Sequence, residues 1–216
     1  MRSVPSHPKI YHITHMDNLS RIIDAGRIWS DVKRIELDLE SENVGIQGIK
    51  QRRSKELEVK CHPGTKVGQY VPFNFCPRSI MLYILHKGNL PDLSYQYGQG
   101  PILHLQADLE CAVQWADSHS IRWAFSDRNA GARIAKFFST LPDLYKIEWK
   151  AISSTDWSEA SIKDSKQAEF LFFDSFPWNL VEKIGVMDHK IEDHVNGILS
   201  GLGQKKLVTV ERSWYY

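Results

Sequence analysis

Residues 165–178 read SKQAEFLFFDSFPW and place one carboxylate, that of Glu169, inside an apolar run. The length and aromatic content of this run predict a strand over Ala168–Phe173 with apolar side chains on both faces. Glu169 is therefore expected to point into protein, where an ionised carboxylate is costly unless a partner compensates it. Two interpretations stay open at this point: a buried Glu paired with an Arg, and an active-site carboxylate.

The composition is that of an ordinary globular protein, with 42% hydrophobic and 25% charged residues among 216. Lys and Arg number 27 against 26 Asp and Glu, which gives a formal net charge of +1. No global field then draws the protein to nucleic acid or membrane, and a polyanion must be held by a local patch. The length favours one domain, over residues 10–216, after a flexible lead-in over residues 1–9.

The cysteines and the N-terminus bear on the cellular compartment. Cys61, Cys76 and Cys111 are far apart and form no C-x-x-C pair, which argues against a disulfide framework and a zinc ribbon. The start MRSVPSHPK has no apolar core of a signal peptide, and no apolar run is long enough to span a bilayer. We expect a cytoplasmic protein without membrane contact.

Strand and helix patterns alternate along the chain without regular βαβ spacing. Further strands are predicted over Ile10–Thr14, Tyr70–Phe75, Ile102–Gln106, Ile121–Phe125, Gly185–Met187 and Leu207–Val210. Helices are predicted from a cap at Asp17 or Asn18 to Gly26, from Pro77 to Gly88, over Asp108–Trp115, through Ile134, Phe137 and Phe138, briefly after Pro177, and over Asp188–Leu199. Ser30–Lys60 is read as a polar excursion with one helical piece, and Ser153–Lys166 as a loop. Pro72 favours an edge or a bulge for its strand. This irregular order predicts an α+β fold with a mixed or antiparallel sheet.

Three features suggest chemistry without fixing it. His12 and His15 would face opposite sides of a strand and have no third ligand, so we predict no metal site and expect a hydrogen-bonding role. Lys50–Lys55, KQRRSK, is the strongest basic cluster, and it also fits a solvated helix face. Arg78 lies at a helix start, where an anion is favoured. Since the sequence has neither G-x-G-x-x-G nor a P-loop, a nucleotide is not held in either of those ways.

Five segments, in this order, resemble the DarT family of DNA ADP-ribosyltransferases, the toxins of DarT–DarG toxin–antitoxin systems: IYHITHMDNL, IKQRR, YVPFNFCPRSIMLY, SDRNA and KQAEFLFFDSFPWNLVEKIGV. The resemblance runs from about Ile10 to Val186. It implies a single-domain ADP-ribosyltransferase fold related to that of poly(ADP-ribose) polymerases. It also implies that NAD is cleaved as a co-substrate without a metal, and that ADP-ribose is placed on a thymidine base in single-stranded DNA. A macrodomain antitoxin of the DarG type is the implied partner, and we expect a monomer.

The resemblance also implies roles for individual residues. Glu169 is the implied catalytic residue, since a buried carboxylate stabilises the oxocarbenium-like ribose left by nicotinamide. The functional arginine lies in IKQRR, with Arg52 as first choice and Arg53 as second. Implied cofactor contacts are His12, Thr14, Tyr70, Phe75, Arg78, Met81 and Tyr83. Implied nucleic-acid contacts are Arg53, Lys55, Arg128, Asn129 and Lys166, where Asn129 stands at a position that is histidine in some members. The loop Ser153–Lys166 is the implied substrate-recognition loop.

Two other functions stay open from the residues alone. One keeps the NAD chemistry but sends ADP-ribose to protein or water. The other is a non-enzymatic nucleic-acid-binding module in which Glu169 is structural. Which labelled acceptor receives ADP-ribose, and whether nicotinamide is released at all, discriminates among the three.

Overall fold

The fold is described from a computed structural model, which describes residues 4–88, 95–155, 157 and 159–216. Its ten strands are β1 Lys9–His15, β2 Arg27–Trp29, β3 Tyr70–Asn74, β4 Ile102–Asp108, β5 Trp123–Ser126, β6 Phe137–Phe138, β7 Glu169–Phe173, β8 Ser175–Pro177, β9 Val181–Val186 and β10 Leu207–Val210. Its helices are α1 Leu19–Ala25, α2 Asp31–Glu36, α3 Gln47–Lys55, α4 Ile80–Lys87, α5 Leu109–Ser118, α6 Trp149–Ser153, α7 Ala160–Ser165 and α8 His189–Gly201. These counts refer to the described residues.

Eight strands form one sheet in the order β10-β9-β4-β1-β3-β7-β5-β6, and β2 pairs with β8 separately. The sheet is mixed, because β10 and β9 run parallel while the other pairs are antiparallel. This arrangement agrees with the predicted α+β class and mixed sheet. The core lies between the sheet and helices that bury apolar residues against it, such as Leu109 and Val113 of α5 and Val195 of α8.

The sheet opens between its two central strands. β1 pairs with β4 over seven positions and β3 pairs with β7 over five, but β1 and β3 pair only where Tyr11 lies opposite Asn74. Pro72 is accommodated by this divergence. Its carbonyl points toward β1 and accepts a hydrogen bond from the side chain of His12. An N–H at this position would point to the same side, where β1 has diverged, so its absence in proline costs no hydrogen bond between strands. β3 is thus an interior strand with a local edge.

Several predicted elements were wrong. Phe137 and Phe138 form β6 rather than part of a helix, because β5 offers its free edge and Phe138 packs on Phe125 with ring centroids 5.2 Å apart. The short helix predicted after Pro177 is present as a 3₁₀ turn over Trp178–Leu180, and Pro177 itself ends β8. The polar excursion holds two helices, α2 and α3, and the predicted loop before β7 contains α7.

The side chain of Asn18 does not cap α1 as predicted, because it hydrogen-bonds Thr14 and Glu42 instead. In the part of the chain that the structure describes, no helix is both long enough and apolar enough to cross a membrane. The flexible lead-in stays a prediction, and its residues 1–3 lie outside the described residues.

Candidate active site

A cavity of about 940 Å³ lies where β1 and β3 diverge. This volume is near the upper end of the range for ligand sites, roughly 300–1,000 Å³. Its wall includes His12 and Thr14 of β1, Asn74 of β3, Met81 of α4, Arg53 of α3 and Glu169 of β7. The loop between α2 and α3 supplies Leu39, Glu42 and Val44. The sheet opening and this loop together form the concave site.

Glu169 lies in the wall of this cavity and forms a two-point ion pair with Arg53. Arg53 Nη1 donates to Oε1 at 3.1 Å and Nη2 to Oε2 at 2.6 Å. The side chains are 15% and 8% exposed, and the backbone N–H of Ala130 donates to Oε1 at 2.8 Å. Burial opposes the charge of Arg53, but the adjacent carboxylate outweighs this effect and holds the pKa of Arg53 above its ordinary value. The carboxylate is thus paired with an arginine and also lies in the wall of a cleft.

Arg52, the first choice for the functional arginine, does not reach this site. Its side chain is 52% exposed, and its Nε lies 3.9 Å from Oε2 of Glu56 on the same helix. Successive residues of a helix differ by about 100° in direction, so only one of two adjacent arginines can face the cavity. Lys50, three residues before Arg53, shares its face and lines the cavity, where its Nζ pairs with Asp31 at 2.8 Å.

His12 and Thr14 present defined hydrogen-bonding groups on the β1 side. The Nδ1 of His12 donates to the carbonyl of Pro72 at 2.8 Å, which assigns the proton to Nδ1 and leaves Nε2 as an acceptor. Burial lowers the pKa of His12, so the ring is held neutral. The hydroxyl of Thr14 accepts from Nδ2 of Asn18 at 3.2 Å, so its own proton can be donated to a ligand.

Four of the seven predicted cofactor contacts do not line the cavity. Tyr70 is buried with its hydroxyl 3.0 Å from Oγ1 of Thr65, and Phe75 packs on Trp149 with ring centroids 5.4 Å apart. The Nε of Arg78 donates to the carbonyl of Tyr215 at 2.8 Å. Tyr83 is two residues beyond the cavity-lining Met81, which turns it to the outer side of α4. His12, Thr14 and Met81 do line it.

The predicted nucleic-acid contacts divide in the same way. Asn129 lines the cavity; its Nδ2 donates to Oε1 of Gln167, another wall residue, at 3.2 Å. Arg128 lies outside the cavity wall and pairs with Asp164 at 2.6 Å, and Lys55 is exposed at the end of α3. Arg53, also predicted as a nucleic-acid contact, is held by Glu169.

Lys166 was wrongly predicted as a nucleic-acid contact. It is 3% exposed, and its ammonium donates to the carbonyls of Ala151, Ile152 and Ser154 at 3.3, 2.9 and 2.7 Å. These are carbonyls that a helix end leaves without partners, so Lys166 caps the C-terminus of α6 instead of reaching a phosphate. Burial lowers its pKa.

Sequence reasoning missed Asn18, Asn74 and Gln167 as wall residues. All three lie inside the segments quoted for the family resemblance. Their position in these segments is the sequence feature from which they could have been predicted. Among the described residues, no group of three or more His, Cys, Asp or Glu side chains is arranged to hold a metal ion.

A family model described as "ssDNA thymidine ADP-ribosyltransferase, DarT" matches residues 11–216. The chain belongs to the DarT family. A DNA ADP-ribosyl transferase of Thermus aquaticus (strain ATCC BAA-2747 / Y51MC23) is 39% identical over 209 residues, which are 96% of this chain and 88% of that protein. Similarity to this DarT relative thus extends over nearly the whole length of both chains.

Solved DarT structures show the same fold. The structure of Thermus sp. 2.9 DarT in complex with ADP-ribosylated ssDNA matches with a TM-score of 0.88 and 33% identity, covering 100% of this chain and 99% of that one. The structure of the same protein in complex with NAD+ matches with a TM-score of 0.84 and 32% identity, covering 99% and 100%. The predicted family, the enzyme class and the ADP-ribosyltransferase fold are confirmed, and the interpretation as a non-enzymatic module was wrong.

Proposed function

We propose that this DarT family member transfers ADP-ribose from NAD to a thymidine base of single-stranded DNA in the cavity between β1 and β3. The observation that carries the proposal is the buried Arg53–Glu169 pair in the wall of that cavity, opposite the hydrogen-bonding groups of His12 and Thr14. The solved relative of the same fold is bound to NAD+ in one structure and to ADP-ribosylated ssDNA in another, which supports both substrates.

The proposed chemistry follows from the charges. The bond between the ribose C1 of NAD and nicotinamide breaks, nicotinamide leaves with the electron pair, and positive charge develops on the ribose. The Glu169 carboxylate stabilises that charge, and the two hydrogen bonds from Arg53 hold the carboxylate in a fixed orientation, so that it need not reorganise during the reaction. The thymidine N3 then bonds to C1, and its proton passes to water or to the carboxylate.

A base in a single strand is the proposed acceptor because duplex pairing hides N3 behind adenine. Extracting a base from a duplex costs a few kcal/mol, whereas a splayed base can stack on an aromatic side chain for roughly 1–3 kcal/mol. The cavity volume at the upper end of the ligand-site range is consistent with both substrates meeting inside it.

The test is the NAD-dependent mass shift of a thymidine-containing oligonucleotide, presented alone and annealed to its complement, beside a thymidine-free strand. We expect one ADP-ribose on the single strand and little on the other two. Glu169→Gln should lower the transfer rate by on the order of 10²–10³ while the fold is kept. Equal labelling of strand and duplex would reject the single-strand acceptor, and nicotinamide release without any labelled oligonucleotide would favour NAD hydrolysis.

The biological role is proposed to be that of a toxin restrained by a macrodomain antitoxin, as the family resemblance implies. Expression of the parent chain in a bacterial host should arrest growth, and expression of Glu169→Gln should not. Co-expression of a macrodomain that removes ADP-ribose from DNA should restore growth. That the chain acts as a monomer stays a prediction.

A further inference from the structure

On the outer side of α4, away from the cavity, three aromatic rings follow one another, and the ring of a histidine lies beside two of them. We call them the ring row; they are Trp157, Tyr216, Tyr83 and His86. The ring centroids of Trp157 and Tyr216 are 6.4 Å apart, and those of Tyr216 and Tyr83 are 5.1 Å apart. The ring of His86 lies beside both tyrosines, 6.5 Å from Tyr83 and 6.2 Å from Tyr216. Tyr83 is 42% exposed and His86 is also exposed, whereas Trp157 and Tyr216 are half-buried. The end of the row at Tyr83 and His86 is therefore open to a ligand.

Cations accompany the rings along the row. The guanidinium carbon of Arg78 lies 5.1 Å from the centroid of Tyr216, and Nζ of Lys87 lies 5.5 Å from that of Tyr83. Within the part of the chain that the structure describes, no carboxylate lies close enough to Arg78 or Lys87 to form an ion pair. The positive charge beside the row is therefore available to an anionic ligand.

The ring row borders the mouth of the active-site cavity. The hydroxyl of Tyr216 donates to the carbonyl of Ser79 at 3.4 Å, and Ser79 and Met81 line the cavity. At its other end, Trp157 lies in the segment between α6 and α7, which leads into the strand that begins with Glu169. A strand whose target base enters the cavity would pass over this surface.

We propose that the ring row binds the nucleotides flanking the target base, as a stacking surface for single-stranded DNA; this inference rests on the proposed function. Rings with cations beside them match the alternation of base and phosphate in a single strand, where every base has a face to stack and every linkage a negative charge. A duplex covers those base faces. With a net charge of only +1 on the chain, such a local surface is where affinity for DNA must come from.

The test is the affinity of Tyr83→Ala for fluorescein-labelled, thymidine-containing single strands, measured by anisotropy without NAD. One strand has about 15 nucleotides, the upper range of single-strand site sizes, and the other about three. The matched control is Tyr145→Ala, an exposed tyrosine, 52% accessible, that also has a lysine beside its ring, at 5.7 Å. Tyr83→Phe keeps a ring, and NAD affinity is measured for every variant.

We expect Tyr83→Ala to bind the long strand at least about fivefold more weakly than the parent, the lower end for removing one base–ring stack. Tyr83→Phe and Tyr145→Ala should bind it like the parent, and the short strand and NAD should be unaffected by Tyr83→Ala. Unchanged affinity for the long strand, or equal losses in Tyr145→Ala or for the short strand, would overturn the ring row. If the parent protein binds the long strand but transfers no ADP-ribose, only the proposed function is refuted. The ratio of the affinities of the parent and Tyr83→Ala for the long strand still tests the role of the ring row in that case.

Discussion

At the scale of single residues, the site depends on which arginine meets the carboxylate. A bidentate guanidinium fixes both oxygens of Glu169, whereas a lysine ammonium would bind as a point charge and leave the carboxylate free to rotate. Arg52, on the adjacent face of α3, pairs with Glu56, which is itself exposed. Such surface pairs contribute about 0–1 kcal/mol.

We therefore expect Arg53→Lys to lower the transfer rate by roughly 10²-fold, the cost of a catalytic group displaced by about 1 Å. Arg52→Ala should keep the parent rate and the parent melting temperature. Initial rates on a thymidine-containing single strand, with melting curves for both variants, make the comparison. A larger loss in Arg52→Ala than in Arg53→Lys would return the functional role to Arg52.

At the scale of elements, one buried side chain ties the loop between α2 and α3 to the cavity wall. Nδ2 of Asn18 donates to the carbonyl of Glu42 at 2.9 Å, and the N–H of Glu42 donates to Oδ1 at 2.7 Å. The same Nδ2 donates to Oγ1 of Thr14. Since Glu42 and its neighbours line the cavity, Asn18 positions both a wall of the cavity and the hydroxyl of Thr14.

Asn18→Asp keeps the size of the side chain but loses both donated bonds and sets a carboxylate oxygen against the carbonyl of Glu42. Losing buried partners costs about 1–3 kcal/mol, so we expect KM for NAD to rise by roughly 5- to 100-fold with kcat little changed at saturating NAD. The control is Asn43→Asp on the same loop, because aspartate retains the acceptor for the N–H of Gly45. A fall in kcat and melting temperature with KM unchanged would assign Asn18 a role in folding only.

At the scale of the whole molecule, a buried histidine couples stability to pH. His104 of β4 is fully buried between Trp214 and Tyr215 and bonds the carbonyl of Pro77 through Nε2 at 3.0 Å. Burial lowers its pKa from 6.5 to about 4. Below pH 6.5 the unfolded state takes up a proton that the native state refuses until about pH 4, so stability falls as pH falls through that window.

His104 alone should account for a loss of about 2 kcal/mol in the free energy of unfolding between about pH 7 and pH 5. Urea unfolding at both pH values measures it. Between these two pH values, the free energy of unfolding of His104→Gln should fall by about 2 kcal/mol less than that of the parent, because glutamine does not titrate. His194→Gln, at an exposed position of α8, should lose as much as the parent. Equal losses in the parent and His104→Gln would mean that carboxylates dominate the acid sensitivity.

The sequence by itself determined the family and two of the strands with apolar patterns. Leu207–Val210 has the predicted bounds, and the predicted Ala168–Phe173 differs from β7 by one residue. Local patterns suffice there because a short run rich in apolar, aromatic and β-branched residues is characteristic of a strand. β2, β6 and β8 have two or three residues each, too few for a period, and only their partners define them.

Only the tertiary structure decided which polar side chains face the site. Adjacent in sequence, Arg52 and Arg53 differ because the docking of α3 fixes its rotation, and a turn of 100° separates a buried ion pair from solvent. From the sequence, Lys166 was expected to be free just before the strand of Glu169, but its ammonium donates to carbonyls at the end of α6. The hydrogen bonds between Asn18 and Glu42 depend on the position that the loop between α2 and α3 takes in the folded protein. Local sequence carries no record of such distant partners, since burial and pairing are set by the packing of elements far apart in the chain.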